Sequence, residues 1–122
     1  MRLKNTNSYR NQRVASAVRS ALEEILFLGK NIDVRLGAAK CSITDVTISS
    51  DLKLITCYFV PGITSELKAD DILEALNASK FAIRRTLSTK VMLKYVPEIR
   101  FIYDHGFDNS MKVSKILDMA DK

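Results

Sequence analysis

A chain of 122 residues, 47% apolar and 27% charged, with a net charge of +5, has the make-up of one globular domain around one core, spanning residues 1–122. At this size about two-thirds of the unfolded surface can be buried, so neither a metal nor a disulfide staple is required. No apolar run reaches transmembrane length, and MRLKNTNSYRNQR has no apolar segment behind its charges, which argues against a signal peptide and for a cytoplasmic protein.

The charge is uneven. Residues 1–30 carry six basic and two acidic groups, and residues 77–96 carry five basic and none acidic. Residues 62–76 carry one basic and four acidic, and the last 22 residues three and four. Two basic poles on a small chain suit a polyanion such as nucleic acid, although an acidic membrane surface or an acidic protein would fit the same asymmetry.

Taken in order, residues 1–7 are polar and read as a flexible end. Ser8 is placed to cap a helix running to about Leu28, with Val14, Val18, Ala21, Leu22 and Ile25 on one face. Arg10 and Arg13 sit near its start, where basic residues gain nothing from the helix dipole and are free either to reach a phosphate or simply to be solvated. Gly29 stops the helix. Residues 30–37 read as a loop anchored by Ile32, Val34 and Leu36, with Arg35 pairing with Asp33 or with a neighbouring element.

Ala39 to Ile48 reads as a strand whose phase slips by one residue at Thr44-Asp45. Cys41 and Ile43 share a face with Val46 and Ile48 only if a bulge absorbs the extra residue. Ser49-Ser50-Asp51 is a turn, and Lys53 to Val60 is a second strand that closes an antiparallel hairpin. Pro61-Gly62 ends it. Ser65 or Asp70 then caps a helix carrying Leu67, Ile72, Leu73 and Leu76, and helical periodicity continues through Phe81, Ile83, Leu87 and Val91 to Lys94. About 25 residues of unbroken helix is long for so small a chain, so a break is expected between Asn77 and Lys80. Glu98 to Tyr103 alternates as a third strand. Asp104-His105-Gly106 is a turn, and residues 107–122 read as a short tail helix, opened by Asp108 or Ser110 and carrying Met111, Val113, Ile116, Leu117 and Met119.

These pieces predict an α+β sandwich of two layers: a three-stranded mixed sheet with the helices on one face. The helix pair is expected to return the chain to the end of the sheet it left, making the third strand antiparallel to the second and parallel to the first. An α-β-β-α-α-β order is that of the bacterial-type KH domain, a single-stranded RNA module.

Several strings, read together, resemble the ribosome-binding factor A family: Gln12-Arg13-Val14-Ala15, Arg35-Leu36-Gly37 behind Asp33, Thr44-Asp45-Val46, Ser49-Ser50-Asp51-Leu52, Ala75-Leu76-Asn77, Ile83-Arg84-Arg85, and Tyr95 through Asp104. They cover residues 10 to about 118 in order. The resemblance implies a single KH-like domain, without catalytic activity, that binds the immature small (30S) ribosomal subunit, assists late maturation of 16S rRNA including its 5′ end region, and then dissociates. A monomer is expected, with no membrane association because no helix combines a full basic face with exposed large apolar residues, and ribosomal proteins or a displacing GTPase are left as further partners. That family marks its interhelical kink with Ala-x-Gly. The matching positions here are Ser79, Lys80 and Phe81, and Phe81 has a β-carbon where the family has glycine.

Catalytic constellations are missing. His105 is the only histidine, Cys41 and Cys57 read as reduced core residues, and there is no phosphate-cradling glycine loop and no metal-ligand spacing. No cofactor is expected. The candidate RNA contacts are Lys80, Arg84, Arg85, Lys90 and Lys94 on the basic helix, extended by Arg10 and Arg13 if the first helix starts on the same side. Charge reversal at Arg84 and Arg85 together is expected to weaken binding and leave the fold intact. The alternative is an adaptor domain whose basic poles dock an acidic protein surface.

Overall fold

The computed structural model describes residues 3–109, with side chains from Tyr9 onward. Helix α1 (Leu3–Leu28) buries Ala15, Val18, Ala21, Leu22 and Ile25, the expected stripe, while Val14 packs at its border. It starts five residues ahead of Ser8, so Ser8 is not its cap. Gly29 ends it at φ +67°, with its N–H donating to the Ile25 carbonyl (3.0 Å).

The segment expected as a loop instead forms a short helix, α2 (Val34–Ala39). Its cause is Asp33, whose carboxylate accepts the Arg35 N–H at 2.9 Å as an N-cap. Winding the segment turns Leu36 and Ala39 into the core and leaves Val34 exposed, so Val34 anchors nothing.

Strands β1 (Ser42–Ile48) and β2 (Leu54–Val60) form the antiparallel hairpin. Ile43 pairs with Phe59 and Asp45 with Tyr58, so Thr44 is the extra residue of the predicted bulge, and both Ile43 and Val46 face the core. Cys41 lies just ahead of the strand. In the connecting loop the Ser49 hydroxyl donates to Asp51 and accepts from the Lys53 and Leu54 N–H groups.

Helix α3 (Ala69–Ala78) is followed by α4 (Lys80–Lys90). Neither Ser65 nor Asp70 caps α3. Lys68 holds the cap position in extended backbone without a side-chain bond, Ser65 is used in a local turn with Leu67, and Asp70 and Asp71 lie in the first turn, where the dipole favours acids. The basic helix stops at Lys90, so Lys94 belongs to the loop before β3 (Glu98–Tyr103).

The sheet order is β1-β2-β3, and β3 runs parallel to β2, from Leu54 beside Glu98 to Phe59 beside Tyr103. This corrects the expected direction. Hydrogen bonds from Ser79 N–H to the Ala75 carbonyl and from Ile83 N–H to the Ser79 carbonyl run through the junction of α3 and α4. The helices therefore bend without reversing, and residues 91–97 carry the chain on to the opposite end of the sheet. A long helical crossover of this kind is what a parallel neighbour requires. Helices α1 to α4 lie on one face, over a core of Leu22, Ile55, Phe59, Ile72, Leu76, Ile83, Leu87 and Ile99.

Asp104 accepts the Phe107 N–H at 3.1 Å and opens a helical turn at residues 105–109, so His105 and Gly106 are helical and Asp108 does not start it, while Ser110 lies outside the described residues. The rest of the expected tail helix lies outside the described residues.

Candidate nucleic-acid interface

The expected break falls on Ser79, a single residue at φ −95°, ψ 2°. Lys80 and Phe81 already belong to α4, and neither has positive φ, so this bend needs no glycine. Ser79 is buried, and its hydroxyl accepts the Asp33 N–H at 2.8 Å, which ties the α1–α2 connection to the bend. Arg35 completes the tie. It donates to both oxygens of Asp33 (3.1 and 2.8 Å) and to Glu74 on α3 (2.6 Å), so it joins both of the partners that its sequence position allowed. The Arg35 guanidinium holds the Asp33 carboxyl down to about 2, and the two carboxylates hold Arg35 charged. Beside the bend Asp33 and Glu74 thus share the one Arg35 guanidinium, while Lys80 has no ion-pair partner among the described residues.

The five basic residues of the 77–96 segment have different fates. Arg84 turns inward: its Nε donates to the Pro97 carbonyl and its Nη2 to the Val96 carbonyl, both at 3.0 Å, fastening the loop ahead of β3. Reversing Arg84 would therefore disturb the fold, and the Arg84–Arg85 double reversal does not separate binding from folding. Lys90 pairs with Glu24 of α1 at 3.1 Å. Arg85 and Lys94 are exposed, Lys80 is half-buried, and among the described residues none of the three has an ion-pair partner.

The Glu24–Lys90 pair also identifies which side of α1 faces α4. Arg13 lies eleven residues before Glu24, three helical turns, and so shares its face, with Arg10 one turn further on. Helix α4 runs antiparallel to α1, so the loop after Lys90 heads toward this end of α1. Arg10 and Arg13 thus lie on the flank of α1 that faces α4, beyond the Glu24–Lys90 pair.

Two aromatic residues that the sequence reading passed over join this flank. Tyr9 is 63% and Tyr95 75% exposed. Each ring carries a cation, with the Arg13 guanidinium 5.8 Å and the Lys94 ammonium 5.7 Å from the ring centres. The available signal was aromatic residues beside basic ones, in Tyr9-Arg10 and Lys94-Tyr95. Phe81 is also 75% exposed on α4.

Other chemistry has little support. Burial pushes the Cys41 thiol up to about 11 and Cys57 up to about 12, so neither is poised as a thiolate, and neither is in a disulfide. His105 packs at a tilt against Tyr103, whose hydroxyl bonds to Asp108. Among the described residues no group of three or more His, Cys, Asp or Glu could hold a metal ion, and no helix is long and apolar enough to cross a membrane.

Comparison with known proteins agrees with this architecture. The chain is similar to Ribosome-binding factor A of Rickettsia africae (strain ESF-5), 47% identical over 116 residues, covering 95% of this chain and 96% of that protein. The crystal structure of ribosome-binding factor A from Thermus thermophilus has the same KH-like fold at a TM-score of 0.64 and 17% identity, over 76% of this chain and 94% of that one. A homology model of the Thermus thermophilus ribosome binding factor A, fitted into a cryo-EM map of a 30S complex, matches at a TM-score of 0.58 and 19% identity, over 74% of this chain and 90% of that one. The family described as Ribosome-binding factor A matches residues 10–117. With the Tyr95–Asp104 signature leading into and forming β3, and the Ser79 bend in the expected place, the chain belongs to the ribosome-binding factor A family.

Proposed function

We propose that this chain binds the immature small ribosomal subunit and assists late maturation of its 16S rRNA, as a monomeric, non-catalytic factor acting in the cytoplasm. The observation that carries the proposal is a set of cations without ion-pair partners among the described residues, Arg10, Arg13, Lys80, Arg85 and Lys94, spread over α1, α4 and the loop that follows. Family membership supplies the ribosome, and a fold relative has been fitted into a 30S complex. Phosphate contacts of this kind position a protein on RNA and carry little sequence information, so specificity falls to RNA shape and to the few bases that reach side chains. Five such contacts make binding steeply salt-dependent, with a loss of about 100-fold between about 50 and about 200 mM salt.

The test is sedimentation with small-subunit precursors and with mature subunits. The wild-type chain is expected to travel with precursors. Lys80→Glu with Arg85→Glu is expected to lose that binding by at least ~10-fold at an unchanged melting temperature, because neither side chain holds the fold. Binding by the double variant at wild-type strength would remove this flank from the interface. Retention on a ribosomal-protein surface stripped of RNA would favour the adaptor reading.

A further inference from the structure

At the end of the sheet away from the Ser79 bend, where β1 ends and β2 and β3 begin, lies a groove of about 500 Å³ between the hairpin loop and residues 93–98. Its apolar lining comes from Leu52, Leu93, Val96 and Pro97. Tyr95 lines it too, exposed, with the Lys94 ammonium 5.7 Å from its ring centre, and exposed Lys53 stands on the hairpin side.

Both walls are held in place. Arg84 bonds the carbonyls of Val96 and Pro97 on one side. On the other, the Ser49–Asp51 turn fixes the Lys53 and Leu54 N–H groups, and Leu52 is locked at φ +60°, a conformation rare for a bulky side chain. The lining carries three cations, Lys53, Lys94 and Arg84, against two carboxylates, Asp51 and Glu98, and the Asp51 carboxylate is turned to the Ser49 hydroxyl and the Lys53 N–H. The groove is also continuous with the basic flank. Asn11 Nδ2 donates to the Ser49 carbonyl at 3.3 Å, bringing the Arg10 end of α1 to this end of the sheet.

We propose that this groove receives an unpaired nucleotide of a single-stranded RNA segment, its base stacked on Tyr95 and its phosphates met by Lys53 and Lys94. The proposal rests on the RNA-binding function above and adds a base-recognition site to it. Every base offers a π-face to such a ring, and the apolar lining suits a base where it would exclude a phosphate. An acidic peptide would satisfy the lysines but has no flat face for Tyr95.

Fluorescence anisotropy with a labelled single-stranded RNA of about ten nucleotides, and with a duplex of the same length, tests it. Tyr95→Ala should weaken single-strand binding by about 5- to 100-fold without changing the salt slope, and Tyr95→Phe should retain it. Lys53→Gln with Lys94→Gln should make the salt slope shallower by about 1.4. Tyr95 is largely exposed, so these variants keep the fold. Unchanged binding by Tyr95→Ala overturns the proposal. So does an equal loss on the duplex, or displacement of the single strand from the wild-type chain, but not from Tyr95→Ala, by a polyglutamate peptide. Sedimentation separates this from the broader reading. If Tyr95→Ala binds the single strand like wild type while Lys80→Glu with Arg85→Glu loses precursor subunits, the groove proposal falls and the function stands. If the wild-type chain binds the single strand through Tyr95 but ignores precursor subunits, the function falls and the groove remains an RNA site.

Discussion

The two ends of the helical layer use polar groups in opposite ways. At the Ser79 bend, Asp33, Arg35, Glu74 and the Ser79 hydroxyl satisfy one another, and Gly62 presses against the backbone of Ala39 and Lys40. At the other end Lys53, Lys94 and Tyr95 stand exposed around a groove, and Met92 is fully exposed beside it. The lesson is that charge density along the sequence does not locate an interface. A charge is available to a partner only when the fold has given it no neighbour, and adjacent Arg84 and Arg85 show how sharply that can change between two residues.

The largest effect expected of any substitution at the bend end is for Gly62→Ala. An added Cβ would sit 2.6 Å from the Lys40 carbonyl oxygen and 2.8 Å from that of Ala39, both backbone atoms that cannot swing aside. A loss of about 2–3 kcal/mol by urea denaturation is expected, and a neutral result would show that the bend end is looser than its contacts imply.

Arg84→Ala tests the exception, a cation at the groove end that is used internally. It should cost about 1–2 kcal/mol by leaving the Val96 and Pro97 carbonyls without their donor, and hydrogen exchange should rise across residues 91–97. Arg85→Ala should stay within about 0.5 kcal/mol of wild type. Equal losses from the two would erase the distinction between them.

Ser79→Ala removes the acceptor of the Asp33 N–H and should cost about 1 kcal/mol in a thermal or urea melt. Smallest is the pH effect. The folded-state pKa of Asp33 is depressed to about 2 from an ordinary value near ~4. Its contribution is therefore complete above about pH 4 and is lost as the pH falls through about 2. Asp51 and Asp104, also lowered, act in the same direction. Urea midpoints measured down this range should fall less steeply in Asp33→Asn than in wild type. An identical fall would show that the Arg35 pair contributes nothing to the fold at the bend.

Much of the fold was legible because its signals are local. The bulge at Thr44 followed from a slip in period-two alternation, the Gly29 stop from glycine's tolerance of positive φ, and the bounds of β3 from alternation behind Pro97. α2 was missed because six residues are too few to show helical periodicity, although Asp33 ahead of Val34 was a cap signal in plain view. The direction of β3 was missed because it depends on whether Ser79 bends or reverses the chain, and the small and polar residues there permit either.

The candidate site divides along the same line. The residue types settled that the chain is basic, that two segments hold most of that charge, and that a break interrupts the helix near Ser79, since composition and periodicity are properties of neighbours in sequence. Only the tertiary structure decided that Arg84 and Lys90 are consumed by the fold while Arg10, Arg13, Lys80, Arg85 and Lys94 are left without an ion-pair partner among the described residues. The partners that make the difference, the carbonyls of Val96 and Pro97 and the carboxylate of Glu24, lie 12, 13 and 66 residues away, and no local pattern can say whether a charge will meet them.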